Sequence, residues 1–149
     1  MVLFTAVIWI WILLFPFLLT LLNLPQPDYS SFADIRGNPT SLFFILLKVW
    51  TAVAFGEEVL GRVFLIDRFE AVFKGLPGAT YFAVILASVL FGLAHAYSGI
   101  GGVIQAGVIG VILSFLYLYQ KRSIWTNVIV HGTVDTIAML LLFFGVKFV

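Results

Sequence analysis

Cysteine is absent from this 149-residue chain, which excludes disulfides, iron–sulfur clusters and thiol nucleophiles. Charge is scarce as well: Asp, Glu, Lys and Arg make up 10% of the residues, against 62% hydrophobic. A soluble domain of this length needs far more polar surface to cover its core. With a mean hydropathy of +1.15, most of the chain belongs in lipid. The net charge is only +1 and no basic cluster is present, so nothing points to nucleic acid. There is no internal repeat, low-complexity tract or heptad pattern. The first apolar run, Val2–Leu24, lacks a basic leader and a small-x-small cleavage site and is longer than a signal-peptide core. It reads as a retained anchor, kinked at Pro16 as membrane helices tolerate.

What remains is a succession of apolar segments. A spanning helix needs about 20 mainly apolar residues, and the candidates are Val2–Leu24, Ser41–Ile66, Thr80–Tyr97, Gly102–Gln120 and Ile124–Val149. The expected fold is all-α: a polytopic transmembrane helix bundle of about five spanning helices, forming one membrane-embedded domain over residues 1–149. Pro25–Pro39 has the Pro, Asn, Asp and Ser content of a connecting loop. Asp67–Gly78 mixes Asp67, Arg68, Glu70 and Lys74 with Phe69, Val72, Phe73 and Leu76. That pattern predicts a short interfacial amphipathic segment, closed by Leu76-Pro77-Gly78. Basic residues then set the orientation. The N-terminus, Arg68, Lys74, Lys121 and Arg122 fall on one side; Arg36, the uncharged Ser98–Gly101 turn and Lys147 fall on the other. The first side is expected to be cytoplasmic, with the C-terminus outside.

A charge at bilayer depth costs about 2.5–3.5 kcal/mol on insertion scales, so the polar residues inside these segments carry the information. They are Lys48, Glu57, Glu58 and Arg62 in the second, His95 in the third, and His131 with Asp135 in the fifth. Glu58 and Arg62 stand four apart and can pair on one helix face. Glu57 lies about 100° further round, free to face something else, with Gly61 leaving space beside it. His131 and Asp135 share a face, and Phe91 stands one turn before His95. Taken singly, each of these has a bland reading. The glutamates and Arg62 can be a structural charge cluster, His95 a helix-end residue, and His131 with Asp135 an interhelical hydrogen-bonding pair. Lys48 reads as snorkelling or pairing. The small residues Gly102, Ala106, Gly107, Gly110 and Ser114 read as close-packing positions.

Together, however, Glu57-Glu58-Val59-Leu60-Gly61-Arg62 looks like an EExxxR motif, Phe91-Gly92-Leu93-Ala94-His95 like FxxxH, and His131-Gly132-Thr133-Val134-Asp135 like HxxxN/D. In this order, each on its own apolar helix, they resemble the CAAX-processing and bacteriocin-processing (CPBP, Abi) family of intramembrane endopeptidases. The stretch Ser123-Ile124-Trp125 is similar to the family's lead-in to its last motif. The likeness covers residues 55–135. It implies hydrolysis of peptide bonds in membrane-associated peptide or protein substrates within the lipid bilayer, in a prokaryotic cell membrane. Carried over by position, Glu57 is the general base that activates water and His95 helps hold it. His131 and Asp135 form the oxyanion side, with Glu58 and Arg62 supporting. Where many members have Asn, Asp135 stands here, and an ionised Asp cannot donate to an oxyanion. It must be protonated, orient His131 or bind a cation. A metal-free mechanism without cofactor is favoured; in a zinc-dependent version the ligands are Glu57, His95 and His131, although no HExxH pair is present.

Possible substrates are prenylated C-terminal tails, leader peptides of bacteriocin-like precursors and C-terminal sorting tails. The short chain points to a compact prokaryotic member and makes prenyl processing the less favoured of these. The alternatives are a non-catalytic immunity or binding protein of the same family and a small proton-coupled transporter, since buried Glu and His also relay protons. One geometric demand follows from the motifs. His95 falls near the far end of its helix and His131 about one and a half turns into another, so a turn containing Gly99, Gly101 and Gly102 must bring them together.

Overall fold

The computed structural model describes residues 2–146, and among these the chain is helical with no strand. Lys147 and the end of the segment Ile124–Val149 lie outside the described residues. Helix α1 is Val2–Leu21 and continues through Pro16, whose carbonyl accepts from Thr20 Oγ1 and Gln26 Nε2. Asn23 adopts φ 54, the left-handed conformation that closes helices, and the chain turns into the loop before residue 24. A 3-10 turn, Ser30–Ile35, leads to α2, Pro39–Lys48. Asn38 caps α2 by accepting from the Ser41 N–H at 3.2 Å, and Pro39 occupies the first helical position.

The helix then continues without a break but changes winding. Val49–Glu57 and Val59–Ile66 are π-helical, and α3, Asp67–Val72, returns to α geometry. Helix α4 spans Ala79–Leu93 after the expected turn at Gly78, whose φ is 81. A 3-10 turn, Ala96–Ser98, joins it to α5, Gly99–Tyr119, and α6 is Ile124–Phe143. Gly145, at φ 80, stops α6: its N–H reaches Leu142 O and that of Val146 reaches Leu141 O, the paired bonds of a glycine C-cap.

By length and composition, three stretches are able to cross a membrane: Val2–Leu21, Ala96–Tyr119 and Ile124–Phe143. The chain is therefore an all-helical integral membrane protein with three candidate spans, where the hydropathy pattern suggested about five. Two physical reasons account for the difference. The second expected segment is helical throughout, but its changes of winding divide it into stretches of 10, 9 and 8 residues, each short of a span. The third is cut short at Leu93, and its 15 residues rise about 22 Å, less than a hydrocarbon core of about 30 Å.

Packing falls into two cores. Ile8, Leu113, Leu116, Val130 and Val134 join α1, α5 and α6. Ile66, Ala83, Val84, Ala87 and Tyr117 join the π-helical stretch to α4 and α5. Small residues bring α4 and α5 into backbone contact, as the spacing on α5 suggested: a Cβ on Gly92 would lie 2.6 Å from Val103 O. Outside, apolar side chains such as Leu13, Phe17 and Phe82 are exposed, as lipid-facing residues should be. At one end Arg122 binds Asp67 Oδ1 at 3.0 Å and Glu70 Oε1 at 2.7 Å, clamping α3 to the α5–α6 turn.

Candidate active site

The three motif segments converge. Glu57 and Glu58 are neighbours in sequence, yet their surroundings are opposite: the Glu58 side chain is fully buried, whereas that of Glu57 is 31% exposed. Glu58 is the hub of a buried network. Its Oε2 lies 3.2 Å from Arg62 Nε and accepts from Asn127 Nδ2 at 2.9 Å, and its Oε1 lies 2.8 Å from His131 Nδ1. Arg62 donates onward to Gly110 O and stacks over the Phe91 ring with its guanidinium carbon 4.6 Å from the centroid. Asn127 also donates to Leu113 O at 2.7 Å. Asn127 joins α6 to α5 as well as to Glu58, and Glu58 and Arg62 pair as their four-residue spacing suggested.

That network leaves Glu57 to the other side. Its Oε2 is buried but has no hydrogen-bond partner among the described residues. Orphaned buried polar atoms are uncommon and call for an unseen partner such as water or a ligand. The nearest charged neighbour is His131 Nε2 at 3.9 Å, and Asp135 Oδ2 approaches that same nitrogen at 3.5 Å. Both distances exceed good hydrogen bonds. His131 is thus gripped through Nδ1 by Glu58, while its Nε2 faces Glu57 and Asp135.

His95 joins from α4. Its Nδ1 is 2.8 Å from Phe91 O, and a carbonyl only accepts, so Nδ1 carries the proton and Nε2 is the acceptor in the neutral ring. Phe91 packs between the two histidines, with ring centroids 4.9 Å from His95 and 6.2 Å from His131. Glu57, His95, His131 and Asp135 all line one cavity of about 910 Å³. The shortness of α4 and the turn at Gly99, with φ 72, bring His95 to the level of the others. A Cβ on Gly101 would lie 2.7 Å from Pro25 O, so the first loop seats directly on that turn.

Two parts of this arrangement escape a motif search. Asn127 is fully buried, one turn before His131 on α6, and the signal for it was an amide at i−4 from a histidine in an apolar helix. Trp50 donates its indole N–H to Thr136 Oγ1, and a Cβ on Gly132 would lie 2.8 Å from its ring. The glycine within the last motif therefore lets the π-helical stretch lie close against α6. Lys48 also lines the cavity.

A zinc ion would need three convergent donors. Among the described residues no group of three or more His, Asp and Glu side chains is arranged to hold one.

The model of one protein family, described as type II CAAX prenyl endopeptidase, Rce1-like, matches residues 38–137. The match begins at the Asn38 cap of α2 and includes all three motifs. No curated protein and no solved structure matches the chain.

Proposed function

The chain belongs to the Rce1-like family of type II CAAX prenyl endopeptidases, and on that premise we propose that it is an intramembrane endopeptidase using a glutamate-activated water. The observation that carries this reading is the unpartnered Glu57 Oε2 in the wall of a cavity shared with both histidines. The family description makes a prenylated C-terminal tail the substrate class to test first, ahead of leader or sorting peptides.

In the proposed reaction, Glu57 takes a proton from a water held between it and His95 Nε2. The oxygen attacks the scissile carbonyl carbon, and the carbonyl oxygen becomes an oxyanion. Protonated on both nitrogens, His131 keeps one N–H on Glu58 and turns the other to that oxyanion. Glu57 then returns the proton to the amide nitrogen as the C–N bond breaks. One water is consumed, giving a new carboxylate on the substrate body and a free amine on the released tail. Asp135, whose Oδ2 lies 3.5 Å from His131 Nε2, balances the charge of the doubly protonated ring, a role that asks no carboxylate to donate. The charge distribution favours an N-terminus in the cytoplasm; because the chain has no cysteine, single-cysteine accessibility on either side tests this directly.

The test is cleavage of a farnesylated C-a-a-X peptide by the detergent-purified protein, with and without chelator. Cleavage that survives chelation and falls by at least about a hundredfold in Glu57→Gln supports the mechanism. Loss on chelation moves the chemistry to a metal. Binding of the peptide without cleavage moves the protein to the non-catalytic class.

A further inference from the structure

The cavity contains a cation that the reaction above does not use. Lys48 is the last residue of α2, nine residues from Pro39, and so lies about 14 Å along the axis from the helix start. Its ammonium has no ion pair or hydrogen bond among the described residues, and the carboxylates of the cavity, Glu57 and Asp135, lie beside His131 instead. Lys48 is exposed where it borders the cavity, and a cation without a partner in an apolar segment is a candidate for a functional contact.

Winding makes its placement informative. At 3.6 residues per turn, positions nine apart point about 180° away from each other. Lys48 and Glu57 are nine apart, yet both line the cavity. The π-helical stretch Val49–Glu57, whose turns hold more residues, removes the opposition. π-helical turns are often found at functional sites, and here the consequence is a cation and a candidate base that line the same cavity. Their separation along the axis is about 13 Å or less. Three extended residues span about 10–11 Å, the length of the tail that follows the cysteine in a C-terminal C-a-a-X.

We propose that Lys48 binds the free C-terminal carboxylate of the substrate, placing the scissile bond at Glu57 by the length of the tail. The inference rests on the endopeptidase reading and adds to it a specificity residue outside the three motifs. A C-terminal acid would be preferred, and a C-terminal amide or a longer tail would be discriminated against.

The experiment compares a farnesylated C-a-a-X peptide carrying a free carboxylate with the same peptide as a C-terminal amide, on wild type, Lys48→Gln and Lys48→Arg. Loss of one charge-assisted contact is worth about tenfold to a hundredfold. Wild type is expected to favour the acid by that factor in kcat/KM, mainly through KM. Lys48→Gln should lose the preference while cutting the amide as wild type does, and Lys48→Arg should keep it. Equal cleavage of acid and amide by wild type overturns the proposal and leaves the endopeptidase reading intact, whatever the variants do. An equal loss on both substrates in Lys48→Gln, with wild type indifferent to the terminus, assigns Lys48 a structural role instead. No cleavage of either peptide by wild type removes the endopeptidase reading and this proposal with it.

Discussion

Glu58 Oε1 and His131 Nδ1 lie 2.8 Å apart in the most buried part of the molecule, joining the first motif to the last. The same carboxylate faces Arg62, so one group both balances a buried guanidinium and sets which histidine nitrogen turns to the cavity. Glu58→Gln leaves Arg62 without its counter-charge. The expected cost is about 3–5 kcal/mol of stability, together with loss of cleavage. Denaturant unfolding in detergent measures the first, and a variant as stable as wild type would show that the pair is dispensable.

Asn127→Ala removes the donor shared between Glu58 and Leu113 O. Leaving those buried acceptors unsatisfied should cost about 1–3 kcal/mol. His131 then loses part of its anchor, so kcat should fall while KM holds. A change confined to KM would place Asn127 in substrate binding.

Gly132→Ala pushes a methyl group into the Trp50 ring. Overpacking of this kind costs about 1–3 kcal/mol, and the indole must move off Thr136. The accompanying shift in tryptophan emission can be read against a Trp50→Phe background. No shift and no destabilisation would mean that α6 and the π-helical stretch separate freely.

The clamp at the other end predicts a response to pH. The hydrogen bond from Arg122 holds the Glu70 carboxyl below its ordinary value. A carboxyl with a depressed folded value contributes stability above its unfolded value, about 4.3, and this is lost as pH falls through the folded one. The unfolding temperature should therefore drop more steeply with acid below about pH 4.3 in wild type than in Arg122→Gln. Both partners are partly exposed, so the difference should be small and shrink in salt. Parallel pH profiles at low salt would dismiss the clamp.

How much of this was legible in the sequence differs by residue. The Glu58–Arg62 pair and the convergence of Glu57, His95, His131 and Asp135 could be read because side chains four apart share a face and the motifs identify their helices. The packing role of Gly107 and Gly110 was readable from their size alone. The winding of Val49–Glu57 was not, because hydropathy reports which face is apolar and not which carbonyl each N–H selects. Lys48 therefore read as snorkelling or pairing, although it borders the same cavity as Glu57. Asn127 was passed over because a single amide in an apolar run has no motif, only a position one turn from His131.

The length of α4 has a consequence for the membrane itself. Its 15 residues stand beside the 21 of α5, about 22 Å against about 31 Å, in direct backbone contact. Lipids along that short wall must thin or tilt to meet it, drawing headgroups and water toward the end that carries His95. On the endopeptidase reading, bilayer thickness should bear on activity: acyl chains that match α4 would ease water to the site, and longer ones hold it away.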